Sequence, residues 1–172
     1  MARLTTKGLQ PGMSFGGKPV IERMDIAAAC SRLSPLTFHL VMAKYCDDVH
    51  SALEAMTELQ AVMAKKSAVW AEMGVLKRTA VAAAMIQEFV SARKCGSCKG
   101  TGQVKRGTKI EDCRPCSATG AKTISASARA RACGIPESTF RHQRLNERYN
   151  DIMDLLARAE IGALESISRK AS

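Results

Sequence analysis

The sequence predicts a mainly α protein with a helical N-terminal region, an inserted four-cysteine zinc finger and a C-terminal helix-turn-helix-like pair. Three observations carry this. Apolar residues recur at three- and four-residue spacing between Val20 and Arg93, the period of a helix face. Two Cys-x-x-Cys pairs, Cys95/Cys98 and Cys113/Cys116, are then separated by 14 residues in a stretch nearly empty of core-forming side chains. After them an alanine- and arginine-rich segment, a Gly-Ile-Pro turn and a long amphipathic stretch occupy Thr123 to Ala159. At 172 residues the chain suffices for one compact core with an attached module. The expected organisation is a flexible arm over 1–20, a helical region over 21–93, a zinc finger over 94–120, the helix-turn-helix-like region over 121–160 and a tail over 161–172.

In the arm, Pro11-Gly12, Gly16-Gly17 and Pro19 interrupt any regular structure. A short apolar segment through Ile26, Ala27 and Ala29 follows, and Ser34-Pro35 reads as an N-cap with proline in the first turn. Leu53, Met56, Leu59 and Met63, and further on Val81, Met85 and Phe89, form packing stripes, with Trp70 as an aromatic anchor. Of the nine methionines, those at helical spacing read as core filler, with a hydrophobic partner groove as the alternative. The longest apolar run, Ala80 to Ile86, is too short to span a bilayer, and Met1-Ala2-Arg3-Leu4 lacks the apolar core of a signal peptide. No membrane partner and a reducing compartment are expected.

Between Lys94 and Gly120 the only sizeable apolar side chains are Val104 and Ile110, too few to offset the entropy of ordering that segment. Four thiolates closing a tetrahedral site would order it, because metal binding to such a module is its folding free energy. The predicted ligands are Cys95, Cys98, Cys113 and Cys116, holding one structural Zn²⁺. Disulfide or redox chemistry is the alternative. Seven cysteines, an odd number, and the absence of a βαβ pattern speak against it. Cys30, Cys46 and Cys133 lie outside the cluster and read as core thiols. Four sulfurs leave no open coordination position for catalysis.

Ala126 to Ala132 is expected to be helical, Cys133-Gly134-Ile135-Pro136 a turn, and Glu137 to Arg158 one long helix with the apolar stripe Leu145, Tyr149, Ile152 and Leu156. Arg141, Arg144 and Arg148 would then share one exposed basic side. Ala130, Gly134 and Phe140 fall where a helix-turn-helix wants a small residue, a turn glycine and a core apolar. A plain helical hairpin is the alternative, since Arg129 and Gln143 occupy positions that such a motif usually fills with apolar residues. In a DNA-reading unit, Glu137, Ser138, Thr139, Arg141 and His142 would approach base edges, while Arg144 and Arg148 would reach phosphates.

The charge agrees with a polyanionic partner. The chain carries 26 Lys and Arg against 16 Asp and Glu, a formal +10, and residues 94–120 hold six of the cations against two acids. Four thiolates with one Zn²⁺ subtract two charges, leaving +8. Nucleic acid is the most natural counterpart, with a solubilising surplus as the alternative.

These motifs carry a resemblance. Cys95-Gly-Ser-Cys98-Lys-Gly-Thr-Gly102, a basic spacer, Cys113-Arg-Pro-Cys116-Ser-Ala-Thr-Gly120, and Ser125-Ala-Ser-Ala-Arg leading into Ile135-Pro-Glu-Ser-Thr-Phe140 resemble the late-gene antitermination protein Q family of lambdoid bacteriophages over about residues 90–160. The resemblance implies a transcription regulator of the bacterial host cytoplasm, not an enzyme. Such a regulator binds double-stranded promoter DNA, engages the bacterial RNA polymerase holoenzyme and makes it read through terminators. It also implies Cys95, Cys98, Cys113 and Cys116 as zinc ligands and 125–148 as the DNA-contacting stretch. Ala118 departs from the knuckle pattern, where glycine is usual.

Two other classes share parts of the pattern. A DnaJ-like zinc-knuckle cochaperone uses the same Cys-x-x-Cys-x-Gly-x-Gly knuckle but typically carries four, with a His-Pro-Asp signature absent from this chain. A zinc-stabilised protein adaptor would use the positive charge for solubility alone. No paired carboxylates, nucleophile motif or glycine-rich phosphate loop points to an enzyme.

Overall fold

The computed structural model describes residues 23–91, 94–107, 109–118, 120–122 and 124–170. The expected arm over 1–20 lies outside them. Among the described residues eight α-helices and one two-stranded ribbon follow in order: α1 (Arg23–Cys30), α2 (Pro35–Tyr45), α3 (Val49–Lys66), α4 (Ala68–Glu72), α5 (Val75–Val90), β1 (Gln103–Arg106), β2 (Lys109–Asp112), α6 (Ala126–Ala132), α7 (Glu137–His142) and α8 (Leu145–Lys170). The molecule is mainly helical, with the four paired cysteines clustered between α5 and α6.

Helix starts follow local chemistry. Ser34 accepts a hydrogen bond from the Thr37 backbone N–H, with Pro35 in the first turn of α2, and Ser125 caps α6 through the Ala128 N–H. In α3 the inward line is Ser51, Ala55, Leu59 and Met63, each one turn from the last. Leu53, expected to pack, is 55% exposed because two residues at 100° each turn it away from that line. Val81, Met85, Phe89 and Trp70 are buried as expected. So are Cys30 and Cys133, while Cys46 is half-buried.

One apolar core joins α2, α3, α4 and α5 to α6, α7 and the first half of α8, with Ala130, Ile135, Phe140, Leu145 and Tyr149 packed among the residues of the earlier helices. The helices on either side of the cysteine segment therefore share one core. A second cluster packs α1 and α2 against the far end of α8 through Ile26, Val41, Ala163 and Ile167.

Two expectations are corrected in this region. The stretch from Glu137 to Arg158 is two helices, broken at Gln143-Arg144, where Arg144 takes a left-handed φ of 52°. A continuous helix would set Phe140 and Leu145 about 140° apart around its axis. The break lets both bury fully, at 1% and 0% exposure. Nor is 161–172 a tail as far as Lys170, because α8 continues and the line Leu145, Tyr149, Ile152, Leu156 is prolonged by Ala163 and Ile167.

Polar ties cross the same interfaces. Glu160 of α8 bonds Lys44 at 2.7 Å and accepts from the Tyr45 hydroxyl, while Lys44 also lies 4.2 Å from the Phe89 ring centroid. Burial and the Glu160 carboxylate push the Tyr45 phenol far above its usual range, so it stays a donor. Arg78 donates to the carbonyls of Trp70, Ala71 and Met73, closing the end of α4.

Candidate metal centre

The cysteine segment leaves and rejoins the helical body at one place, where Lys94 and Ala121 form an antiparallel bridge. Inside it the two knuckles repeat one construction. The Gly102 N–H points at Cys98 Sγ and the Gly120 N–H at Cys116 Sγ, each at 3.3 Å. Each knuckle also holds the other: the Cys95 N–H donates to the Gly120 carbonyl and the Cys113 N–H to the Gly102 carbonyl, both at 2.8 Å.

Such tight reversals need left-handed backbone. Lys99, Gly100 and Gly102 supply it in the first knuckle, and Ser117, Ala118 and Gly120 in the second. The glycines at 102 and 120 are required by space as well. A Cβ on Gly102 would lie 2.3 Å from the Ala118 carbonyl oxygen, and one on Gly120 would lie 2.5 Å from that of Gly100. Ala118 occupies the position of Gly100, at φ 63°, in a conformation unfavourable to a side chain.

The four sulfurs converge. All lie within 4.8 Å of one another, with Cys95 Sγ 3.8 Å from Cys113 Sγ and Cys98 Sγ 3.7 Å from Cys116 Sγ. A disulfide requires about 2.05 Å, so these separations belong to thiols gathered around a common point. All four cysteines are buried, and Val104 is the apolar residue packed on them. The donor set is soft and closed, suited to a structural metal ion.

The electrostatics agree with a site that needs a cation. Burial opposes ionisation of Cys98, yet the N–H groups of Gly102 and Gly100, joined by hydrogen bonds from the Cys116 and Cys113 thiols, together outweigh it and bring the thiol down to about 6. Backbone N–H donation at Cys98 and Ser97 lowers Cys95 in the same way, against burial. Cys113 is pushed up to about 12 by burial and by the neighbouring Cys116 and Cys98 sulfurs. Buried thiolates this close repel one another, and a divalent ion removes that penalty.

From Gly102 the chain runs directly into β1, and β2 runs directly into Cys113, so an antiparallel ribbon projects from the sulfur cluster. Its register pairs Gln103 with Asp112, Val104 with Glu111, Lys105 with Ile110 and Arg106 with Lys109. The sequence reading missed this ribbon. Its signal is a two-residue reversal at Gly107, which has φ 62°, a short hairpin connection needing a left-handed residue.

The residues expected to read DNA are only partly brought together. The turn has Gly134 at φ 64° with Ala130 and Phe140 buried on either side, as expected of a helix-turn-helix. Glu137, Ser138, Arg141 and His142 are exposed on α7, and Thr139 is half-buried. Glu137 accepts from Ser127 and from Arg141, the latter at 2.6 Å. Arg144, exposed in the break, pairs with Glu147 at 2.7 Å. Arg148 departs from expectation: its guanidinium packs inward and donates to Ser67 Oγ at 2.8 Å, so it ties α8 to the start of α4. The three arginines lie on two helices and the break between them, and do not share one face.

No helix among the described residues is long and apolar enough to cross a membrane. Compared with known proteins, the chain matches no family model and no curated protein.

Proposed function

We propose that this chain is a DNA-binding transcription regulator of the phage antitermination type. In this reading its four cysteines hold one structural zinc ion, and it binds promoter DNA and alters bacterial RNA polymerase so that terminators are read through. The metal identity rests on distance and donor softness. Zn–S bonds of about 2.3 Å in a tetrahedron set the sulfurs about 3.8 Å apart, and two cross-knuckle pairs stand at 3.8 and 3.7 Å. A closed, all-thiolate, tetrahedral site is what structural zinc typically takes.

The observation that carries the DNA reading is the α6–turn–α7 unit following the cysteine module. Gly134 makes the turn, Ala130 and Phe140 anchor it in the shared core, and the front of α7 faces solvent with Glu137, Ser138, Arg141 and His142. A rigid metal module at the entry to α6 would fix the angle at which α7 meets a duplex.

The test is in vitro transcription from a template carrying a late promoter and a downstream terminator. Readthrough should rise when the zinc-loaded protein is added. Unchanged readthrough removes antitermination, and an accompanying gel shift on duplex DNA separates a simple DNA binder from an adaptor that binds protein alone.

A further inference from the structure

The arginines expected to contact DNA on α7, in the break and on α8 are already paired: Arg141 with Glu137, Arg144 with Glu147 and Arg148 with Ser67. The cations of the metal module are not. Lys94, Lys99, Lys105, Arg106, Lys109 and Arg114 are all exposed, and among the described residues none makes an ion pair. We infer that the β1–β2 ribbon is the principal phosphate-contacting surface of the protein, seated on duplex DNA through Lys105, Arg106 and Lys109. This rests on the DNA-binding reading above and assigns its electrostatic part to a different element.

Charge is sorted along the ribbon. Arg106 and Lys109 pair in register beside the turn, with Lys105 one step behind, whereas Glu111 and Asp112 sit opposite Val104 and Gln103 at the base, beside the cysteines. Three cations therefore occupy the projecting end, and the acids stay near the metal centre. Arg114 continues the basic rim along a groove of about 240 Å³ that also borders Glu111 and Asp112.

Shape selects the partner. The major groove of B-DNA, about 12 Å wide, admits a two-stranded β-ribbon, and the long, flexible Lys and Arg side chains at the ribbon's tip can extend sideways to the phosphates that flank the groove. Successive strand residues alternate between faces, so Lys105 projects on one side and Arg106 on the other. Ile110, in register with Lys105, is 70% exposed although β-branched and apolar. Within a groove it has a partner in thymine methyl groups. Both strands are anchored at their base by the hydrogen bond from the Cys113 N–H to the Gly102 carbonyl and by the knuckles they run into, so the cations are presented on a rigid mount.

The experiment compares the full-length, metal-loaded protein with its K105Q/R106Q/K109Q variant on duplex DNA by fluorescence anisotropy across a salt series. At about 0.9 per neutralised phosphate, the slope of log affinity against log salt should become shallower by about 2.7 in the variant. The charge-conserving K105R/R106K/K109R variant should keep the original slope. Metal content and circular dichroism of the variants should be unchanged, since all three side chains are exposed. An unchanged slope in the neutralised variant overturns the ribbon assignment and leaves DNA binding standing. Absence of any salt-dependent binding by the parent protein overturns both. Equal affinity for polyglutamate overturns the commitment to a duplex.

Discussion

Arg129 and Glu88, 41 residues apart, meet in a two-pronged ion pair, with Nη2 to Oε1 at 2.7 Å and Nε to Oε2 at 3.1 Å. The pair joins α6 to α5 across the base of the metal module, and both side chains are largely buried, at 12% and 14% exposure. Tyr149 of α8 donates to the same carboxylate, and the guanidinium lies 4.5 Å from its ring centroid and donates to Asn146 and Asn150. An arginine in a helix-turn-helix position that is usually apolar is therefore the clamp that holds the unit on the body.

Removing one side of that clamp leaves a buried charge alone. Arg129→Ala should destabilise the protein by about 3–5 kcal/mol, and adding Glu88→Ala should cost far less than the sum of the two single changes. Denaturant unfolding of the four members of the cycle measures this. Additive losses would mean that the pair is not coupled.

The length of α8 is open to an equally direct check. Gly162 lies inside the helix on its exposed side, with nothing within 4 Å of an added Cβ. Gly162→Ala should therefore stabilise by about 0.5–1 kcal/mol, through helix propensity and reduced freedom of the unfolded chain. A residue in an unstructured tail would show no effect in the same unfolding assay.

These two sites show what can be read from the residues alone. Periodicity locates the stripes around Leu59, Val81 and Tyr149 because helical spacing is a local property. The continuation of the last stripe to Ala163 and Ile167 escapes it because alanine and glycine dilute the pattern there. The break at Arg144 is hidden, since an arginine at positive φ carries no local mark and is imposed by the joint burial of Phe140 and Leu145. The donor set of the cysteine site is legible, as its four sulfurs are a spacing pattern and all four meet, whereas the ribbon between the knuckles is not. Arg148 illustrates the opposite case: a basic residue at helical spacing looks exposed until a partner 81 residues away, Ser67, is placed beside it.

Knuckle geometry sets opposite signs at neighbouring residues. Ala118→Gly should strengthen metal binding or raise local stability by about 1 kcal/mol, because it relieves an alanine held at φ 63°. Gly102→Ala should instead break the crossing, since its Cβ would lie 2.3 Å from the carbonyl of residue 118. Competition with a chelator ranks the three proteins, and the expected order of retention is Ala118→Gly, parent, Gly102→Ala.

Acid should release the metal. The bound form needs thiolates, and Cys113, pushed up to about 12, holds its proton at neutral pH without an ion, whereas Cys98, at about 6, has largely lost its own. Metal loading at neutral pH therefore expels protons, and affinity rises with pH across this range. Titration with metal in weak buffer containing a pH indicator reads the release. A pH-independent affinity would show that the thiols are not the ligands.

Chelation should leave most of the helical circular dichroism intact, because the large core joins α2–α5 to α6–α8 without using the four cysteines. Amide hydrogen exchange should accelerate mainly over residues 94–122, where the crossed hydrogen bonds of Cys95 and Cys113 depend on the knuckles.

Whether Cys95, Cys98, Cys113 and Cys116 gather around a single ion is decided by X-ray absorption with elemental analysis on freshly purified, reduced protein. One zinc per chain, with four sulfur neighbours at about 2.3 Å, is the expected result. Substoichiometric metal, or a first shell containing nitrogen or oxygen in place of sulfur, would contradict it.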